Sequence, residues 1–389
     1  MRKVLDVFLT FLRLGCTSFG GPVAHLAYFQ REFVERRRWL DDAAFGECVA
    51  LTQLLPGPAS SQTGMLLGWL RAGPAGAVGA WIGFTLPSAI LMAAFALALP
   101  HASVKAGWLH GLLLVAVAVV AAALVSLRNA LAPDLARSLL AVAVLAIILL
   151  APPLPIVTPL VIAGAALVGL LLPHVPATAE PKVDLHVSRS AGIVALALLG
   201  VTFVALGIWA TTGSHFAILT NTLFRIGSLV FGGGHVVLPL LQTQAVAAGI
   251  VDSRTILAGY ATAQAMPGPL FSIGSYVGAS AWKSSLSVPG AVAGTVAIFA
   301  PSFFLLAGIA PFYRQLASNA RFRAALAGAN AGVVGLLAAA FVTPIFVTGV
   351  RTALDGAAAL VAFAAIQYAK VPAWVMVILA ALFGYLVER

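Results

Sequence analysis

The sequence predicts an all-α polytopic membrane protein, and three observations lead to this fold class. First, 61% of the 389 residues are hydrophobic and only 9% are charged, with a mean hydropathy of +1.03. A soluble domain has a near-even apolar share. Second, apolar runs of bilayer-spanning length recur along the chain. Third, motifs from one half recur in the other. Together they exclude an ordinary soluble enzyme.

The charge of the chain fits membrane topology better than nucleic-acid binding. The 22 Lys and Arg outnumber the 12 Asp and Glu, but they fall mainly between apolar runs and form no continuous basic stripe. Such a surplus is typical of positive-inside loops. Cys16 and Cys48 lie within apolar segments and indicate neither a disulfide framework nor a metal cluster. We therefore expect the lipid bilayer as a partner, with no nucleic acid, metal or cofactor.

Thirteen hydrophobic segments are predicted, divided near the middle by one clearly polar connection. The segments lie near residues 4–30, 43–70, 74–100, 108–127, 137–151, 156–172, 192–211, 216–248, 255–281, 288–311, 324–348, 352–369 and 371–387. The polar connection indicates a linker between two halves. The expected organisation is an N-terminal repeat at 1–172, a polar linker at 173–191, a connecting membrane helix at 192–214 and a C-terminal repeat at 215–389.

Both halves open with the same unusual pattern. Residues 13–21 read RLGCTSFGG and residues 225–233 read RIGSLVFGG. About 35 residues later, QLLPGPASS at 53–61 matches QAMPGPLFS at 264–272, and a Pro-Ser pair at 87–88 matches one at 301–302. Order, spacing and residue type all agree, which indicates a duplication.

Phe-Gly-Gly and Pro-Gly-Pro are poor choices inside a hydrophobic helix. Gly costs about 1 kcal/mol and Pro about 3 kcal/mol relative to Ala in a helix interior, and Pro leaves a carbonyl without its donor. Freed backbone groups are tolerated at membrane depth only where protein or a water-filled cavity satisfies them. Four breaks, two per half, therefore predict discontinuous helices around an internal polar site. A simple kink or a close helix crossing is the alternative at any single break.

Arg13 and Arg225 stand at the same offset from the first break of each half. An arginine at membrane depth usually faces a pathway, although Arg13 could also snorkel to the interface. Two guanidiniums and half-helix N-termini would suit a divalent oxyanion. The predicted substrate-binding residues are these arginines, the glycines and prolines of the breaks, and the glutamines before Pro-Gly-Pro: Arg13, Arg225, Gly20, Gly21, Gly232, Gly233, Gln53, Gln264, Pro56, Gly57, Pro58, Pro267, Gly268 and Pro269.

Supporting roles are assigned to the other polar groups near the breaks. Backbone N–H groups of the break glycines would replace the water around the anion, while Gln53 and Gln264 would orient it or satisfy the broken backbone. Glu47, whose counterpart is Ala258, and His235 are candidates for proton coupling. The alternatives are a carboxylate at the membrane boundary for Glu47 and packing for His235.

The distribution of Lys and Arg favours motif segments that re-enter the membrane from one side. Residues 4–15 span about 18 Å as a helix, too short for a hydrocarbon core of about 30 Å. With hairpins tipped by Phe-Gly-Gly and Pro-Gly-Pro, nine segments cross, and the N-terminal side holds about 15 basic residues against about 5. With thirteen crossings the count is about 12 against 8. Both versions predict a cytoplasmic N-terminus, a periplasmic C-terminus and inverted-topology repeats.

The motifs resemble the chromate ion transporter family in its long, two-domain form. The resemblance rests on FGGP at 19–22, the basic stretch ending in WLD at 39–41, QLLPGP at 53–58 and their echoes in the second half. It implies a bacterial inner-membrane protein with antiparallel halves that exports chromate, a tetrahedral dianion shaped like sulfate, and confers chromate resistance. The second half departs from the first, with GGH at 233–235 where the first has GPV at 21–23.

These features predict a secondary active oxyanion transporter that works by alternating access. No P-loop is present in the sequence, so ATP hydrolysis by this chain is not supported, and no enzyme activity is expected. Proton exchange or the membrane potential could supply the drive. A transporter of sulfate or another tetrahedral oxyanion, working in uptake, and an anion channel are the alternatives, and a homodimer stays open alongside a monomer.

Overall fold

Helices are the regular structure of this chain. The computed structural model describes residues 1–98, 107–152, 157–172, 185, 187–230, 236–282 and 285–387. No β-strand forms within these ranges, which confirms the all-α class. The helices are α1 Arg2–Thr17, α2 Gly21–Phe29, α3 Asp42–Gln53, α4 Ala59–Ala98, α5 Gly107–Leu131, α6 Leu135–Leu150, α7 Val157–Gly169, α8 Arg189–Ala210, α9 His215–Leu229, α10 Val237–Leu240, α11 Ser253–Ala265, α12 Ile273–Ser280, α13 Ser287–Ile309, α14 Tyr313–Ser318, α15 Ala320–Ala340, α16 Val347–Gly349, α17 Ala353–Gln367 and α18 Ala373–Val387.

Among the described residues, five helical stretches are long and apolar enough to cross a membrane: α4, α5, α8, α13 with its 3₁₀ end, and α15 to α16. Four shorter apolar helices, α6, α7, α17 and α18, accompany them. Helix α8 carries exposed apolar side chains, including Val201, Val204 and Ile208. Such a surface is stable when lipid covers it. The chain is therefore a multi-pass membrane protein.

Helix α4 consists of two antiparallel arms. At residues 72–73 the backbone leaves the helical region. The backbones of Gly68 and Gly76 touch across this turn, whereas eight residues of straight helix would separate them by about 12 Å. Helices α12 and α13 of the second half form a similar pair, with Gly278 against Gly290. Glycine allows these close approaches because a Cβ would collide with the facing backbone.

The first motif segment folds back on itself. Arg37 donates to the Asp6 carboxylate at 2.8 Å, and the rings of Phe11 and Phe33 stack with centroids 4.9 Å apart. The later residue of α1 pairs with the earlier residue of the returning segment. Helix α1 is therefore antiparallel to α2 and to the π-helical turn at 30–36 that extends it. Their tip is the break after Thr17. The basic residues at 36–38 therefore lie at the same end of the bundle as the N-terminus.

The second motif segment is also a hairpin. The hydroxyls of Thr52 and Thr63 are 2.8 Å apart, and farther from the tip Glu47 and Leu67 line one cavity. Helix α3 is therefore antiparallel to the first arm of α4, with the Pro-Gly-Pro break at its tip. In the second half, α11 ends at Ala265 and a 3₁₀ turn begins at Leu270, so that Pro-Gly-Pro again interrupts the helix.

Capping aspartates start the helix that precedes each Pro-Gly-Pro break. The Asp41 carboxylate accepts from the Ala44 N–H at 2.8 Å, and the Asp252 carboxylate accepts from the Thr255 N–H at 2.7 Å. These side chains satisfy backbone donors that have no partner inside the helix. Matching caps fix where α3 and α11 begin and thus how far each tip reaches into the bundle.

Candidate functional site

The two halves meet tip to tip through a reciprocal pair of hydrogen bonds. The Gly57 N–H donates to the Val230 carbonyl at 2.5 Å, and the Gly268 N–H donates to the Ser18 carbonyl at 2.9 Å. Gly57 matches Gly268, and Ser18 matches Val230, in the duplicated motifs. Each Pro-Gly-Pro tip therefore contacts the helix end before the other half's Phe-Gly-Gly. Among the described residues, Ser18, Gly57, Val230 and Gly268 therefore lie where the two halves meet.

Both tip glycines are required by their backbone and their surroundings. Their φ angles are +122° at Gly57 and +97° at Gly268, a region that L-residues with a side chain rarely adopt. A Cβ at Gly268 would lie 2.8 Å from the Ser88 hydroxyl, and one at Gly57 would lie 3.1 Å from the Ser302 hydroxyl. The serine of each matched Pro-Ser pair thus packs against the tip glycine of the other half.

A buried polar cluster surrounds these tips in the first half. His25 Nδ1 lies 3.3 Å from the Ser60 hydroxyl, and its ring packs edge-on against Phe84, with centroids 5.1 Å apart. The Ser88 hydroxyl donates to the Thr85 carbonyl at 3.0 Å. Within this cluster, four polar atoms of buried side chains have no hydrogen-bond partner among the described residues: Ser18 Oγ, Ser61 Oγ, Gln62 Oε1 and Thr85 Oγ1. The His25 ring also interacts with the Ser18 backbone.

Arg13 is part of an ion-pair network on the first hairpin. Its Nη2 lies 2.5 Å from Glu32 Oε2, and its side chain is 46% exposed. Arg36 and Arg37 contact the same carboxylate at 3.2 and 2.6 Å. Although burial opposes ionisation, hydrogen bonds from Arg37 and the charge of Arg13 hold the pKa of Glu32 below its ordinary value. Glu32 thus stays ionised and balances the positive charge of these three arginines.

Arg225 has different surroundings from Arg13. Its Nε donates to the Asn221 side chain at 3.0 Å, and its guanidinium lies 4.4 Å from the centre of the Phe203 ring. It also borders Gly207. Phe203 and Gly207 belong to α8, so this arginine points to the peripheral helix. The described contacts do not bring the two predicted arginines to one place.

The remaining predicted residues are placed as follows. Gln53 is exposed at the end of α3, and Gln264 is partly buried and interacts with the Tyr260 hydroxyl. The Pro56 carbonyl accepts from the Gln62 amide at 2.7 Å. Pro58 and Pro269 are buried and Pro267 is partly buried, while Gly20 and Gly21 adopt positive φ angles at the first tip. Gly232, Gly233 and His235 lie outside the described residues, which hold no cluster of metal-ligating side chains.

A cavity of about 470 Å³ opens at the end of the bundle that holds the N-terminus. Lys3 and Arg71 line it together with Asp41 and Glu47, and the Arg71 guanidinium lies 5.1 Å from the centre of the Trp39 ring. It lies between α3 and the first arm of α4, at the ends opposite the Pro-Gly-Pro tip. Glu47 therefore lines an opening of the bundle, away from the tip contacts.

Sequence reasoning missed Ser18, Thr85 and Gln62. Ser18 stands within the duplicated motif, and its counterpart Val230 differs in polarity; that difference was the available signal. Ser18 and Gln62 contact residues of the second half that lie more than 200 positions away in the chain. Such contacts cannot be read from local spacing.

Comparison with known proteins gives a consistent result. The chromate transporter family profile matches residues 5–170 and 217–385. An uncharacterised transporter of Methanocaldococcus jannaschii is 26% identical over 99% of this chain and 94% of its own length. Chromate transport proteins of Pseudomonas aeruginosa and Cupriavidus metallidurans are 29% and 26% identical, covering 89% and 92% of this chain and 82% and 85% of their own lengths. No solved structure gives a significant match.

The two matched parts each contain one set of the duplicated motifs and one pair of tips, and together they cover most of the chain. The chain therefore belongs to the chromate transporter family.

Proposed function

We propose that this protein exports chromate across the bacterial inner membrane by secondary active transport and thereby confers chromate resistance. The observation that carries the proposal is the reciprocal contact between the tips of the two halves. Two relatives that span most of the chain are named chromate transport proteins. Broken helices that meet inside a bundle suit an ion site because their ends leave backbone groups to face the substrate.

The proposed mechanism is alternating access between two inverted repeats. Residues 1–172 and 215–389 form the repeats, joined by the linker 173–191 and the connecting helix 192–214. The two tip contacts are equivalent, so a rocking motion can loosen one while it tightens the other. The two backbone hydrogen bonds at the tips are exchanged in this step, and each contributes roughly 1 kcal/mol net.

The proposed pathway begins at the cavity near the N-terminus. Lys3 and Arg71 attract the anion from the cytoplasm, and the first hairpin leads inward past Arg13 to the tips. There, Gly20 and Gly21 offer backbone donors, and Gly57 and Gly268 do so when their contacts with Val230 and Ser18 open. Gln53 and Gln264 lie at the ends of the preceding helices. Glu47, which lines the same cavity, is the residue we propose for proton coupling; for His235 that role stays a prediction.

The proposed topology has a cytoplasmic N-terminus, a periplasmic C-terminus and nine crossings. It is supported by the ion pair between Asp6 and Arg37, which holds the basic residues beside the N-terminus. A cysteine at Arg36 is expected to react with a membrane-impermeant maleimide only from the cytoplasmic side. A cysteine at Arg2 is the control for that side. Labelling of the Arg36 position from the periplasm would overturn the hairpin topology.

The function is tested with everted membrane vesicles from cells that express the protein. Energised vesicles are expected to accumulate chromate above the level of vesicles from cells that lack it, because everted vesicles turn export into uptake. Collapsing the proton gradient and the membrane potential in turn identifies the drive. Accumulation of sulfate in place of chromate would make sulfate the substrate. Equal accumulation with and without the protein would reject the proposal.

Arg13→Ala is expected to abolish chromate export without loss of membrane insertion, because Arg13 is the cation closest in sequence to the first tip. Arg36→Ala is the matched control, since Arg36 pairs with the same Glu32 carboxylate but lies at the far end of the hairpin. Vesicle uptake and the amount of inserted protein are measured for both. Near-normal export by Arg13→Ala, or equal losses of export in both variants, would show that Arg13 serves only the ion pair with Glu32 and not transport.

A further inference from the structure

The polar cluster at the tips belongs to one half of the protein. Ser18 has Val230 as its counterpart in the duplicated motif, and Val237 stands at the position that corresponds to His25. Counted from the matched Pro-Ser pairs, Thr85 corresponds to Phe299. The backbone contacts of the tips are reciprocal, but the side chains around them are not. A purely structural role would not require this difference in polarity between equivalent positions.

The residues that carry these polar groups surround one contact. The Ser18 carbonyl accepts from Gly268, and the Phe84 carbonyl and the Ser88 hydroxyl border the α-carbon of the same glycine. The Phe84 ring contacts His25, and Thr85 follows it directly on α4. Ser18, His25 and Thr85 are 0%, 0% and 2% exposed. Three elements, the first tip, α2 and α4, therefore bring polar groups to the Gly268 tip.

Leaving these groups unpaired has a measurable cost. A buried hydroxyl without a partner destabilises the folded protein because it has lost its hydrogen bonds to water, and buried polar side chains in proteins are almost always hydrogen-bonded. Phe11, Phe29 and Phe84 pack beside this cluster and make its surroundings apolar. The two unpaired hydroxyls of Ser18 and Thr85, with the buried His25 ring beside them, therefore indicate a partner that is bound during the working cycle.

We propose that the first half alone carries the oxyanion cradle, in which the hydroxyls of Ser18 and Thr85 and the Nε2–H of His25 hold a tetrahedral oxyanion against the Gly268 tip of the second half. This rests on the proposed function and deepens it. When His25 Nδ1 accepts from Ser60, Nε2 carries the proton and can donate. Uncharged donors bind the anion without an opposite charge that would hold it too tightly, and Arg13 acts earlier, on the proposed path to the tips.

The test compares variants of the purified full-length protein by equilibrium dialysis with chromate and, separately, with sulfate. Ser18→Ala and Thr85→Val are each expected to weaken binding roughly tenfold, because each removes one donor to a charged acceptor. Ser18→Thr keeps a hydroxyl and is expected to retain most of the affinity. Ser272→Ala is the matched control, since it removes a buried hydroxyl beside the other half's Pro-Gly-Pro, and wild-type affinity is expected.

Thermal unfolding of the ligand-free variants separates a binding role from a structural one. Because the Ser18 hydroxyl has no partner to lose, Ser18→Ala is expected to unfold at the same temperature as wild type or higher. Unchanged affinity in both Ser18→Ala and Thr85→Val would overturn the cradle. So would a lower unfolding temperature of Ser18→Ala combined with an equal loss of affinity in Ser272→Ala. Sulfate binding that depends on Ser18, in a wild type that does not bind chromate, would support the cradle and reject chromate as the substrate.

Discussion

Gly268→Ala is expected to reduce chromate transport at least tenfold while the protein remains inserted in the membrane. Alanine at a φ of +97° costs roughly 1–2 kcal/mol, and its methyl group would lie 2.8 Å from the Ser88 hydroxyl. Relief requires the tip to move away from Ser88, which lengthens its hydrogen bond to the Ser18 carbonyl. Gly57→Ala, at the equivalent contact with Ser302, is expected to behave in the same way.

Gly213→Ala is the matched control for the tip variants. Gly213 also has a positive φ, +74°, but a Cβ there would meet no other atom, and the residue lies between α8 and α9. Backbone strain without a tip contact should leave transport near the wild-type rate. Chromate uptake into everted vesicles, normalised to inserted protein, measures all three variants. Equal losses in Gly213→Ala and Gly268→Ala would show that strain alone matters.

Glu32→Ala is expected to give the largest loss of stability among single substitutions of the charged residues in the first hairpin. The change leaves Arg13, Arg36 and Arg37 without their shared carboxylate. The cost should fall between the roughly 1 kcal/mol of an exposed ion pair and the 3–5 kcal/mol of a buried one, because Glu32 is buried and the arginines are partly exposed. The unfolding temperature of purified protein measures it.

Glu35→Ala is the control for that substitution, since Glu35 lies exposed on the same π-helical turn. The effect of acid provides a second check. The pKa of Glu32 is lower in the folded protein, so its contribution is complete above the ordinary pKa of a glutamate and is lost as the pH falls through the lowered value. Glu32→Gln should therefore show a weaker loss of stability with acid than wild type. An unchanged unfolding temperature in Glu32→Ala would contradict the importance of this network.

The helix breaks and the direction of the first hairpin could be predicted from the sequence because they depend on local chemistry. The clustered Gly and Pro of Phe-Gly-Gly and Pro-Gly-Pro interrupt the helices in which they stand, and the short arm before Gly20 cannot cross a bilayer. The partner of Arg13 could not be predicted in this way. Glu32 reaches it only through the register of the hairpin, which is set by packing of Phe11 against Phe33. A charge that looked available in the sequence is paired in the structure.

The site between the halves shows the same limit. The duplicated motif predicts that Gly57 and Gly268 break their helices, and both residues have positive φ angles. Which carbonyl each would contact depends on how the second half packs against the first, and no spacing within one half contains that information. The duplication also did not predict every site residue, since Ser18 and Thr85 have apolar counterparts in the second half.

Chromate flux through the purified protein in proteoliposomes tests the central claim most directly, because no other protein can carry the ion. We predict chromate movement above that of empty liposomes for wild type, and movement near the empty-liposome level for the double variant Gly57→Ala, Gly268→Ala. Wild-type flux equal to that of empty liposomes would contradict transport by this chain. Undiminished flux in the double variant would contradict a pathway at the tips where the two halves meet.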